Sequence, residues 1–343
     1  MPEAARARRG HRVLATDVGG TYVRFALACD GVLLGEPVCL ERAGFPDLAA
    51  ACRHWIDRQA EGPRIDGAVV AAAGRLEHGR IAMTNAAWSI DPGPLAAALG
   101  VPPRRLTVLN DFEALAWALP ALGDDALCPV PGGAARRAGD AAPQRGAGHR
   151  AIVGPGSGLG VAALLRTPRG WLPVATEGGH ASCAPDTPLE RAAEALAIQR
   201  YGRASWERLL SGPGLALLHE AACAQHGPAM PPIDAAAVLR ASAAGDDRAR
   251  QAVQAFVGLL GAFAGDLALL YGATGGVVIA GGIVPRIAEQ ITLEGMRERF
   301  EAKGRFEKWL QHVALDRLID PFAALRGAAN AYVAGPAPAP GAG

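Results

Sequence analysis

At 343 residues, half of them apolar, the chain is long enough for two domains or one large α/β domain, and it has material for a substantial core. A formal net charge of +1 creates no strong field, which argues against nucleic acid or an anionic membrane as partner. No uncharged apolar run reaches membrane-spanning length, and the basic start (Arg6, Arg8, Arg9) is not followed by the apolar stretch of a secretory signal. The cysteines (Cys29, Cys39, Cys52, Cys128, Cys183, Cys223) lie far apart and form no C-x-x-C pair, which argues against a cysteine zinc site or a disulfide scaffold. A reduced, cytoplasmic compartment fits, with each thiol serving as a small hydrophobe.

The first apolar run, 13–16, ends in Asp17-Val18-Gly19-Gly20-Thr21. Two adjacent glycines let backbone N–H groups approach an anion, and the threonine adds a hydroxyl donor. An aspartate beside phosphate calls for a cation between them, and Mg²⁺ suits that place because it binds few carboxylates plus phosphate oxygens and water. The other reading is a tight hairpin with Gly-Gly at its turn. Runs 23–29 and 31–35 continue as an antiparallel meander. Residues 45–59 space Leu48, Ala51, Trp55 and Ile56 as a helix does. The dense run 67–73 suits a buried parallel strand. A short helix at 94–98, a strand at 106–109 and a helix at 112–119 follow.

Residues 131–149 are rich in Gly, Ala, Arg and Pro, lack periodicity and read as an exposed loop. The pattern then restarts with a strand at 151–153, a glycine turn and a strand at 161–165. This echoes 13–29 and suggests a duplicated α/β unit with a phosphate turn in each half. Helical segments follow at 189–201, 236–244 and 249–270. A buried strand at 276–280 leads into Gly281-Gly282, and 335–343 alternate Gly, Pro and Ala as a disordered tail would.

Several segments carry residues able to do chemistry. The glycines of 154–160 fit neither the dinucleotide fingerprint nor a Walker loop, so they read as a phosphate turn or a flexible one. Asn110-Asp111 sits at the end of a strand, where ligands bind in open α/β sheets. Asp111 there either accepts a proton from a substrate hydroxyl or caps the next helix. Glu177 and His180 flank a glycine pair, a carboxylate and an imidazole suited to sugar hydroxyls. A metal at His180 lacks a second histidine nearby. Glu207 precedes Ser211-Gly212-Pro213-Gly214, read as a turn. The pairs Gly275-Gly276 and Gly281-Gly282 let backbone lie against a nucleotide, or else pack strand on helix.

Taken in order, eight segments resemble the bacterial glucokinase family of the actin, hexokinase and sugar-kinase superfamily. They are DVGGT (17–21), MTNAAW (83–88), NDFEALAWALP (110–120), GPGSGLGVA (154–162), EGGH (177–180), ERLLSGPGL (207–215), GGVVIAGGIVPR (275–286) and KGRF (303–306). The resemblance implies an α/β, two-lobed actin/hexokinase-like (ribonuclease H-like) fold, each lobe a mixed β-sheet with flanking helices. It places a small domain at 12–120, completed by about 323–334, and a large one at 121–322. It implies phosphorylation of glucose, or a close hexose, at the 6-hydroxyl by ATP, with Mg²⁺, and often a homodimer.

By the same resemblance Asp111 is the general base, and Asn110, Glu177, His180 and Glu207 bind the sugar. Thr16, Asp17, Val18, Gly19, Gly20 and Thr21 form one phosphate turn, with Asp17 reaching Mg²⁺ through water. Gly156, Ser157 and Gly158 form the other, and Gly281 and Gly282 lie by the adenosine. The chain departs from the family pattern at Thr16, at 72–74, at Tyr22 (commonly asparagine) and at 181–183. These departures bear on sugar preference, and they leave open a kinase for another hexose or a catalytically weak sugar-sensing protein. The cysteine-rich zinc motif of the repressor and open-reading-frame kinase branch is absent.

Overall fold

The computed structural model describes residues 10–59, 63–77, 79–83, 88–132, 145–225 and 231–335. It divides into two compact units, one running to Leu122 and resuming at Asp320, the other spanning Gly123–Ile319. Most of the loop expected at 131–149, the tail beyond 335 and the four central residues of MTNAAW lie outside the described residues.

The first unit is built on a five-stranded sheet. β1 (Arg12–Val18), β2 (Tyr22–Cys29) and β3 (Val32–Glu41) form the expected antiparallel meander. The third strand runs past residue 35 to Glu41, because Gly35 and Pro37 sit where the ladder shifts register on an edge strand and a missing donor costs little. α1 (Leu48–Asp57) starts three residues later than its apolar spacing predicts. Pro46 precedes the cap, and the Asp47 carboxylate accepts the Ala50 N–H at 2.7 Å. β4 (Gly67–Ala72) is buried along its whole length and pairs in parallel with β1.

Next come the short strands β5 (Arg75–Glu77), β6 (Arg80–Ala82) and β7 (Ser89–Ile90), a small separate sheet that lacks an apolar signal of its own. After α2 (Pro92–Leu99), β8 (Leu106–Asn110) joins β4 in parallel and runs directly into α3 (Asp111–Ala118). The sheet order is β3-β2-β1-β4-β8. The C-terminal helix Ala323–Ala334 returns to pack on α3 and β1. The core on the opposite face gathers Leu14, Val18, Phe25, Trp55 and Val70, with the rings of Phe25 and Trp55 stacked at 6.0 Å.

The second unit holds β9 (Leu127–Pro129), β10 (Arg150–Pro155), β11 (Leu159–Thr167) and β12 (Gly170–Thr176). Helices α4 (Pro188–Tyr201), α5 (Trp206–Leu209), α6 (Gly212–Gln225), α7 (Ala235–Ala243) and α8 (Asp247–Tyr271) follow. β13 (Val277–Ile279), α9 (Val284–Ala288), α10 (Glu294–Glu301), α11 (Glu307–Gln311) and β14 (Leu315–Leu318) complete it. The sheet order is β12-β11-β10-β13-β14-β9.

The first five strands of that order repeat those of the first unit in both sequence and direction: an antiparallel meander, then two strands parallel to its first member. The sequence echo between 13–29 and 151–165 is therefore an echo of topology, to which β9 adds one antiparallel edge. Among the described residues α8 is the one helix long and apolar enough to cross a membrane. It is a core helix instead, with Phe256, Leu259, Leu260 and Phe263 buried in the second unit. α6 starts where the sequence reads as a turn. Its Gly and Pro occupy the first turn, where a missing N–H is harmless, and Ser211 Oγ accepts the Gly214 N–H at 3.2 Å.

Candidate active site

In the first unit, β1 and β2 are joined through Gly19, Gly20 and Thr21. The Gly19 N–H donates to the Tyr22 carbonyl at 2.9 Å, leaving Gly20 and Thr21 exposed at the tip. The segment is a tight hairpin and also an accessible glycine turn, so the two sequence readings are compatible. Thr16 and Val18 point into the interior, and the Thr16 hydroxyl has no hydrogen-bond partner there. Asp17 lies directly opposite Arg24 across the ladder, with Oδ2 2.7 Å from Arg24 Nη1. Burial raises the Asp17 carboxyl above its ordinary value, and the Arg24 guanidinium opposes that rise.

Asn110 ends β8 and caps α3: its Oδ1 accepts the Phe112 N–H at 2.9 Å while its Nδ2 donates to the Gly74 carbonyl at 3.0 Å. The capping role therefore belongs to Asn110, not to Asp111, which is the first helical residue. Asp111 Oδ1 also accepts the Phe112 N–H, at 2.9 Å. Burial, and after it the negative charge of Asp17, push the Asp111 carboxyl up to about 6. The parallel register explains why the two acids feel each other. Asp17 pairs with Ala71 and Asn110 with Ala72, so both acids lie at the carboxyl ends of strands on either side of β4. That is the end of an open α/β sheet where ligands are handled.

In the second unit β10 and β11 meet through Gly156, Ser157 and Gly158, with the Gly156 N–H donating to the Gly158 carbonyl at 2.8 Å. The Gly212 N–H, from the start of α6, donates to the Gly156 carbonyl at 2.8 Å. Glu207 on α5 holds the other side: its Oε2 accepts the Leu159 N–H at 3.0 Å, and a Cβ on Gly158 would stand 2.7 Å from that oxygen. Gly281, after β13, has φ +89°, and a Cβ there would fall on the Pro155 carbonyl. Its neighbour Gly282 is exposed in open space.

Glu177 follows β12, and His180 lies one turn further on. His180 Nε2 is 3.8 Å from Glu177 Oε2, and its Nδ1 is 3.8 Å from Glu207 Oε1. These separations exceed hydrogen bonds. They leave an imidazole and two carboxylates with donors and acceptors available to a hydroxylated ligand. Four sequence segments, 154–160, 177–180, 207–212 and 281–282, thus converge on one end of the second sheet.

A model of the glucokinase family matches residues 14–334. The chain belongs to the glucokinase family. The glucokinase of Chromobacterium violaceum is 40% identical over 317 residues, covering 92% of this chain and 88% of that protein. The glucokinase of Stenotrophomonas maltophilia is 38% identical over 329 residues, covering 94% and 95%. The crystal structure of a glucokinase from an Antarctic psychrotroph superimposes with a TM-score of 0.79 at 30% identity, covering 93% of this chain and 98% of that one. The two-lobed kinase fold expected from the sequence is the fold found.

Among glucokinase-family features, two residues escape the motifs yet shape this site. Arg24 is the partner of Asp17: a turn at Gly19-Gly20 would put Tyr22 opposite Asp17, and the turn at Gly20-Thr21 puts Arg24 there instead. Gly74, whose carbonyl orients the Asn110 amide, stands in the 72–74 departure from the family pattern, but its role depends on β4 ending beside β8.

Proposed function

We infer that the chain catalyses the ATP-dependent phosphorylation of glucose to glucose 6-phosphate. The family match supports the reaction, and one structural observation supports the sugar side of it. Glu177, His180 and Glu207 gather beside the β10–β11 glycine turn with open hydrogen-bonding capacity. In this reading they and Asn110 hold the sugar hydroxyls, and the fixed amide of Asn110 presents one direction only. Asp111, mostly ionised at neutral pH, accepts the proton of the 6-hydroxyl as its oxygen attacks the terminal phosphorus of ATP and ADP departs. Backbone N–H groups of the two glycine turns stabilise phosphate charge.

Mg²⁺ is proposed to enter with the nucleotide. Among the described residues no group of three ligating side chains forms a cage. Asp17 fits the lesser demand of a single water-bridged carboxylate, since Arg24 occupies only its Oδ2. When bound, the ion would neutralise phosphate charge. A cytoplasmic location is supported by six free thiols. A homodimer is proposed on family resemblance, to be read from the mass in solution. The deciding experiment is a coupled assay of ADP formation over glucose, mannose, fructose and glucosamine. Glucose is expected to give the highest kcat/KM. Equal or better turnover of another sugar would make the chain a kinase for that hexose.

A further inference from the structure

Arg42 is fixed to the β1–β2 hairpin from three directions. Its backbone N–H donates to the Thr21 carbonyl at 2.9 Å, and its Nε donates to the Gly20 carbonyl at 2.8 Å. Its guanidinium carbon lies 5.5 Å from the centroid of the Trp88 ring, a cation–π contact. Both carbonyls belong to the tip of the hairpin, and Trp88 is itself buried, so it forms a firm platform. An arginine at a strand end ordinarily loses much of its bonding strength to side-chain freedom. Here the cation–π contact and the Nε bond restrain the guanidinium in advance. Among the described residues neither outer guanidinium nitrogen has a protein partner.

A planar guanidinium with its outer nitrogens open matches a phosphoryl group, to which it donates two parallel hydrogen bonds. Its position says which phosphoryl group. The hairpin leaves the same end of the sheet at which Asp111, the proposed base, begins α3, so the anion assigned to this tip is the one under attack. We propose that Arg42 binds the terminal phosphoryl group of ATP while holding the Gly20–Thr21 tip in place. This rests on the kinase reading above. It adds a specific ligand that the family motifs do not contain.

The test compares wild type with Arg42→Ala, Arg42→Gln and Arg42→Lys, in kinetics and in binding of ADP and of a non-hydrolysable ATP analogue. Arg42→Ala and Arg42→Gln are expected to weaken the analogue about tenfold, to change ADP less than twofold, and to raise the KM for ATP while leaving that for glucose within twofold. Arg42→Lys is expected to recover part of the loss, and millimolar guanidinium ion to restore part of the turnover of Arg42→Ala. The proposal is overturned if Arg42→Gln binds the analogue as wild type does. It is equally overturned if ADP and the analogue weaken together, which marks a residue that only shapes the hairpin. Inactivity of the wild type would instead defeat the kinase reading.

Discussion

Glu207 accepts the backbone N–H of Leu159 at 3.0 Å with one oxygen, while its other oxygen lies 3.8 Å from His180 Nδ1. One carboxylate therefore braces the β10–β11 turn and completes the cluster assigned to the sugar. Glu207→Gln keeps the shape and one acceptor but loses the charge. Charge-assisted hydrogen bonds contribute roughly 1.5–3 kcal/mol, so kcat/KM for glucose should fall about 100-fold with little change in melting temperature. Glu207→Ala removes the brace as well and should also raise the KM for ATP. Steady-state kinetics with each substrate varied, beside thermal melts, separate the two effects. A Glu207→Ala variant with an unchanged KM for ATP would show that the brace is idle.

Gly281 tests the same turn from its other side. Its φ of +89° disfavours any side chain, and a Cβ would strike the Pro155 carbonyl. Gly281→Ala should therefore cost on the order of 2–4 kcal/mol from backbone strain and overpacking together. If the turn yields to make room, Gly156 to Gly158 shift and the KM for ATP rises with the loss of stability. Urea unfolding and ATP kinetics on one preparation read both, and an unchanged unfolding midpoint would contradict the geometry.

The ends of the two sheets are legible in the sequence because the proposed site there is written in runs of neighbouring residues. Asp17 to Thr21, Gly154 to Gly160 and Glu177 to His180 each announce themselves within seven positions. The elements that escaped notice do so for physical reasons. β14 reads Leu-Asp-Arg-Leu, which has no apolar run, and Asp316 is tolerated inside only because Arg145, far away in the chain, donates to both of its oxygens. α6 hides behind a glycine and a proline that a helix accepts only in its first turn. Asp111 looked like a cap from its position, and only the side-chain bonds show that Asn110 performs that task. Tyr22 is the reverse case. It breaks the family pattern, yet the residue is 42% exposed and the hairpin closes through its carbonyl, which any residue supplies.

Arg297 should matter for stability alone. It is buried on α10, pairs with Glu301 and donates to the carbonyls of Leu310, Gln311 and Val313, at 3.2, 3.1 and 2.8 Å, around the end of α11. Removing it takes the arginine from a buried carboxylate and leaves three carbonyls without this donor. Arg297→Met is expected to lose about 3–5 kcal/mol, the range for breaking one side of a buried pair. The surviving folded enzyme should keep its KM for both substrates at low temperature. A substantial change in either KM would place Arg297 in the catalytic machinery.

Asp111 links activity and stability to pH in opposite directions. Its carboxyl is raised from 3.8 to about 6, first by burial and then by the charge of Asp17. The base must be ionised, so kcat/KM should fall tenfold per unit below about pH 6 and level off above it. Asp17→Asn removes the neighbouring charge and should move that acid limb to lower pH. Stability runs the other way. Between pH 3.8 and about 6 the folded state holds a proton that the unfolded chain has released, so raising the pH through this window destabilises the fold. Above it the ionised Asp111 costs up to roughly 3 kcal/mol, at about 1.4 kcal/mol per pKa unit. Asp111→Asn should therefore lower turnover by at least about 100-fold and yet melt higher than wild type at pH 7.5. At pH 3.5, where the wild-type acid is mostly protonated in both states, the difference should nearly vanish. Calorimetry of both proteins across this range decides it. A variant that is inactive but no more stable at pH 7.5 would mean that Asp111 is not held against its ionisation by the fold.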